Sequence, residues 1–187
     1  MSYQMKPLSC DPSRIKGMSE RLIVSHYENN YGGAVKRLNL IQEKLAELDY
    51  PNAPGFLING LKREELIAMN SMILHELFFD GLGDTSEPGS TLHGALIRDF
   101  GSLERWRSEF IAMGKALAGG SGWVLLILVA TRQEARQPVG RRSLPYLGGR
   151  YSCSRARHVR ALLSHRFRCQ GGWLRRRFHE CHQLAQH

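Results

Sequence analysis

The chain has 187 residues, 42% of them apolar, enough for one sizeable core or two small domains. No apolar run reaches transmembrane length, the N-terminus lacks a secretory apolar region, and Cys10, Cys153, Cys169 and Cys181 form no C-x-x-C pair. These features exclude a membrane span and a disulfide framework, and they predict a cytoplasmic protein. The net charge of +9 is unevenly shared. Residues 1–126 carry 13 Lys+Arg against 15 Asp+Glu, net −2; residues 127–187 carry 13 Lys+Arg against 2 Asp+Glu, net +11. All 13 basic residues of the second part are arginine, so the chain changes character near residue 127.

Residues 1–18 read as an irregular lead-in with Pro7 and Pro12 as breakers. A helix is predicted from Ser19-Glu20, carrying Leu22, Ile23 and His26 and loosening at Gly32-Gly33. It resumes with Leu38, Ile41, Leu45 and Leu48 at i, i+3, i+7 and i+10. The Pro51 to Pro54 stretch ends it. A central helix follows, roughly Arg63 to Asp80, and the short link predicts an antiparallel hairpin. Gly81 to Ser90 reads as a link between domains. Leu92 to Phe100 is a short helix. Ser102 can cap the next one, with Trp106, Phe110, Met113 and Leu117 on one stripe. The run Trp123 to Val129 reads as a buried strand. Beyond Ala130 no sustained period is visible.

On the central helix, Ala68, Met72, His75 and Phe79 share one face. An imidazole in such a stripe must be hydrogen-bonded, neutral or metal-bound. Alone, it is more often a structural histidine. A second histidine, His26, on the preceding helix shifts the balance.

Three stretches together resemble the iron/manganese superoxide dismutases. They are Ser25-His26-Tyr27-Glu28-Asn29-Asn30-Tyr31, Leu74-His75-Glu76-Leu77-Phe78-Phe79, and Asp99-Phe100-Gly101-Ser102 through Gly120-Ser121-Gly122-Trp123. Their order and spacing agree with that family over residues 15–126. The resemblance implies an N-terminal helical hairpin over 1–82 and the start of an α+β C-terminal domain over 90–129. It implies one iron or manganese ion held by three histidines, an aspartate and a solvent, with superoxide as substrate and a homodimer as the assembly. Carried over by position, His26 and His75 are metal ligands, and Phe78, Phe79 and Trp123 are aromatic walls around them. The family's gateway tyrosine would fall near Gly33-Ala34. Tyr31, one turn earlier, takes its place as the catalytic candidate.

The remaining ligands should come from an aspartate-x-aromatic-glutamate-histidine segment in the last third, and the sequence has none. Codons compatible with Arg157 to Ser164, read one base later, spell aspartate-methionine-tyrosine-glutamate-histidine-serine-tyrosine. The same displacement yields family-like segments from Gln137 to Gly140, Arg142 to Leu147 and Cys169 to Leu184. One base gained or lost between about Leu126 and Val129 accounts for all of them, and for arginine without lysine. Residues 130–187 are therefore read as an out-of-frame, arginine-rich tail, irregular or disordered, which leaves the strand from Trp123 without sheet partners. The alternative is a non-catalytic basic protein whose tail binds nucleic acid. No aromatic platform or binding motif accompanies the arginines, which argues against it. His179, Cys181 and His182 have no partner pair for a zinc site.

Overall fold

The computed structural model describes residues 2–83, 89–117, 122–129, 134–136, 139–141 and 160–165. A short 3-10 turn, Pro12–Arg14, precedes α1, Glu20–Ser25, whose N-cap Ser19 accepts a hydrogen bond from the Leu22 N–H. The rod continues through a π-helical segment, His26–Tyr31, into α2, Gly32–Ala46. The Gly32 N–H reaches back five residues to the Tyr27 carbonyl, the mark of a π turn. The loosening predicted at Gly32-Gly33 thus lies one turn earlier, and both glycines are carried inside a helix held by its neighbours.

After a link through Pro54, α3 runs Gly55–Asp80. It starts eight residues ahead of the predicted Arg63. Pro54 caps its start, and the first two turns lie on the surface, with Phe56 81% exposed, so no apolar stripe announced them. Tyr31 meets Glu76 while Arg37 meets Glu64. Residue numbers fall along α3 as they rise along α2, so the two form the antiparallel hairpin predicted. Leu38, Ile41 and Leu45 from α2 pack with Ala68, Met72, Leu74, Phe78 and Phe79 from α3, all buried. Burying each such side chain contributes about 1.5–3 kcal/mol.

Helices α4, Ser90–Phe100, and α5, Leu103–Ala116, follow. Gly101 joins them at φ +88°, a conformation costly for any residue with a Cβ. Strand β1, Gly122–Val129, shows why its sequence is apolar throughout. Trp123 and Leu125 pack into the hairpin core, while Val124 meets Phe110 and Leu117 of the α5 region and Leu126 meets Leu96 of α4. Alternate residues point to opposite sides, and both sides are covered.

Strand β1 pairs antiparallel with β2, Glu134–Arg136, with β3, Val139–Arg141, and with β4, Arg160–His165. Both β3 and β4 pair with Gly122 and Trp123, so they hold opposite edges of β1. This corrects the expectation that β1 lacks partners. A ladder is made by main-chain groups, which every sequence carries, and unpaired ones are costly. Short extended segments therefore satisfy the edges of β1 without an apolar pattern of their own. The tail residues named for the zinc reading lie outside the described residues. No helix among the described residues is long and apolar enough to cross a membrane.

Candidate metal centre

His26 and His75 come from different helices and meet, with ring centroids 4.9 Å apart and planes at 40°. His26 opens the π-helical segment, and His75 lies one turn before the end of α3. His75 is 5% exposed. Its Nδ1 is 2.6 Å from the Ser71 carbonyl oxygen, one turn back on the same helix. A carbonyl only accepts, so the proton is on Nδ1 and the lone pair of the neutral ring is on Nε2. His26 Nδ1 lies 2.8 Å from the Asn30 side-chain amide nitrogen, one turn further along its own rod; an amide N–H only donates, so this Nδ1 accepts. Both rings are thus held through Nδ1 but in opposite roles, His75 donating and His26 accepting.

Aromatic rings wall the pair. Phe78 stands edge-on to His26 at 5.6 Å, and Phe79 lies 5.8 Å from His26 and 6.4 Å from His75. Trp123, from β1, stands perpendicular to His75 at 5.1 Å. The Tyr31 ring lies nearly parallel to His75, with centroids 6.4 Å apart and an interplanar angle of 22°. All the sequence-assigned site residues therefore occupy one cluster. Tyr31 is 1% exposed, and its hydroxyl donates to Glu76 Oε1 at 3.0 Å while accepting the Lys6 N–H at 2.9 Å. Burial pushes the phenol up to about 12; the Lys6 N–H opposes this and the Glu76 carboxylate adds to it. Lys6 is itself raised, first through its hydrogen bond to Glu76.

Lys6, Asn30, Ser71 and Glu76 were assigned no site role from the sequence. Asn30 and Ser71 stand four residues from the two histidines, so helical spacing could have found them. Lys6 has no such signal, because its contacts are 25 and 70 residues away.

The donor set suits a borderline divalent or trivalent ion. Two imidazoles from different helices at this separation would suit such an ion. Among the described residues no group of three His, Cys, Asp or Glu side chains gathers.

What the fold and the cluster define is a helical hairpin that presents two imidazoles to a strand of an α+β domain inside an aromatic cage. No family model matches the chain. Individual relatives do. An iron superoxide dismutase of Cupriavidus metallidurans is 68% identical over 126 residues, 67% of this chain and 64% of the relative. An iron superoxide dismutase of Aquifex pyrophilus is 33% identical over 122 residues, 62% of this chain and 56% of the relative. A manganese superoxide dismutase of Haloferax volcanii is 29% identical over 144 residues, 74% of this chain and 69% of the relative. Over its matched part the chain belongs to the iron/manganese superoxide dismutase family. The match spans less than two thirds of the length of the Cupriavidus relative.

Proposed function

We propose that the gene specifies a superoxide dismutase and that this polypeptide, as written, is impaired. The reaction takes two superoxide anions and two protons to hydrogen peroxide and dioxygen. The observation that carries the reading is the 4.9 Å pairing of His26 and His75, each with Nδ1 bonded to its own helix. An iron or manganese ion bound there would supply one-electron redox cycling, as the names of the relatives imply. His26 and His75 would hold it, Phe78, Phe79 and Trp123 would exclude bulk water, and Tyr31 is the candidate for moving a proton nearby. A homodimer acting in the cytoplasm completes the reading.

Impairment follows from the missing ligands. A site that forms only in the folded chain couples metal affinity to folding, so half the protein ligands retain little of it. The missing carboxylate would also have offset the ion's charge. The absent aspartate and third histidine are those restored by the one-base displacement near Leu126 to Val129. In this reading 1–82 is the hairpin domain, 90–129 a truncated second domain, and 130–187 an out-of-frame tail.

Metal analysis and an activity assay on the purified chain test this. Far less than one iron or manganese per chain, without activity, is the expected result; near-stoichiometric metal with activity refutes impairment. Resequencing across the codons for Leu126 to Val129 tests the displacement. A frame-restored chain should bind metal and turn over superoxide, and should lose both with His26→Ala or His75→Ala.

A further inference from the structure

The N-terminal arm has no regular structure between Tyr3 and Leu8, yet its polar groups are bonded to the helices it crosses. The Tyr3 N–H donates to Asn39 Oδ1 at 2.8 Å, and the Asn39 amide returns a bond to the Tyr3 carbonyl at 3.0 Å. The Tyr27 hydroxyl donates to the Lys6 carbonyl at 2.6 Å, and Ser9 donates to the Phe79 carbonyl at 3.2 Å. Met5 lies over Gly32, where an added Cβ would stand 3.0 Å from its sulfur.

The centre of this arm is Lys6. Its backbone N–H donates to Tyr31 Oη at 2.9 Å, and its ammonium bonds Glu76 Oε2 at 2.5 Å. The other carboxylate oxygen, Oε1, accepts the Tyr31 hydroxyl at 3.0 Å. One residue of the arm and one carboxylate therefore fill both hydrogen-bonding roles of a single phenol. The Glu76 side chain is 14% exposed and the Lys6 side chain 63%, so the ion pair closes a buried bond from the surface. Charge-assisted bonds of this kind fix orientation as well as position.

We propose that Lys6 and Glu76 are positioning residues that lock Tyr31 against the ring of His75, making the N-terminal arm a strap across the outer wall of the histidine pair. For its purpose this rests on the metal-centre reading; the lock itself does not. An arm held only by Met5 and Leu8 would leave the phenol free to turn. The Lys6–Glu76 pair sets one direction for it. Glu76 thus acts through Tyr31, from the position next to a ligand in sequence.

The test uses the full chain labelled with 3-fluorotyrosine and observed by fluorine NMR. Tyr31→Phe assigns the Tyr31 line, and half-exposed Tyr50 is the internal reference. A gadolinium chelate should broaden Tyr50 and spare Tyr31. Lys6→Met and Glu76→Leu should each raise the broadening of Tyr31 about tenfold, the effect of losing one hydrogen bond to a charged group, with Tyr50 unchanged. Lys6→Arg, which keeps a cationic donor, should restore protection; this surface pair decides the matter even if Glu76→Leu fails to fold. A Tyr31 line equally protected in the parent and in Lys6→Met overturns the lock. Cobalt(II) added to the frame-restored chain, which the proposed function expects to bind metal, reads the other layer: a paramagnetic shift of Tyr31 places an ion beside His75. No shift on a protected Tyr31 overturns the metal reading and leaves the lock standing.

Discussion

Phe79→Ala removes the ring that touches both imidazoles. Phe79 is 3% exposed, and its centroid lies 5.2 Å from Phe78, 5.5 Å from Tyr27 and 6.1 Å from Tyr31, besides its contacts with His26 and His75. Truncating a buried phenylalanine costs about 3–5 kcal/mol, and each aromatic pair adds about 0.5–1.5 kcal/mol beyond area. Phe110 is a matched control in the same chain. It is 6% exposed, and its ring neighbour is Trp106 at 6.0 Å. Phe79→Ala should therefore cost about 5 kcal/mol and Phe110→Ala about 3 kcal/mol. Urea unfolding followed by far-ultraviolet circular dichroism measures both, with the slope checked for constancy. If Phe79→Ala does not fold, Phe79→Leu keeps most of the volume without the ring and should still cost about 1–2 kcal/mol. Equal costs at the two positions would refute the argument that the cage is held by ring-on-ring contacts rather than by area alone.

Tyr31 should give stability a pH dependence at the alkaline end. Its folded value, about 12, exceeds the ordinary 10, so its contribution is complete below about pH 10 and is lost as pH rises to about 12. At most about 3 kcal/mol is involved, and Tyr31→Phe should lack that part of the alkaline decline in thermal melts. Two glycines should respond with opposite sign in the same melts. Gly101→Ala forces a Cβ into φ +88° and should cost about 1 kcal/mol, whereas Gly94→Ala, inside α4 with open space around it, should gain about 0.5–1 kcal/mol. Ser102→Ala removes the hydroxyl that accepts the Arg105 N–H at 3.0 Å and should cost about 1 kcal/mol by chemical denaturation.

The parts of the fold that were legible in the sequence are those written in an apolar period. Ala68, Met72, His75 and Phe79 fall on one helical face and are all buried. Leu38, Ile41 and Leu45 behave the same way, and Ser102 caps α5 as its position suggested. The start of α3 was not legible, because Phe56, Leu57 and Gly60 lie on the surface and carry no pattern. Nor was the pairing of β1, since main-chain hydrogen bonds do not depend on which side chains flank them. Of the centre, the two histidines and their walls could be placed by position in three motifs. Lys6 could not, because its role depends on where an irregular segment crosses a helix pair.

The π turn at His26–Tyr31 has a consequence for descent. It feeds one residue more into the rod than an α-helix accommodates, and His26 stands at its first position. Losing any single codon from Tyr27 to Asn30 would let the rod relax to plain α geometry. The rods on either side would keep their facing, because a π segment turns the chain about as far as an α segment one residue shorter. Ile23 and Leu38 would both stay in the core, and only the residues between them would change direction. The extra residue is thus absorbed locally, and what it sets is where the side chains from His26 to Tyr31 stand, while point changes at exposed Glu28 and Asn29 are cheap.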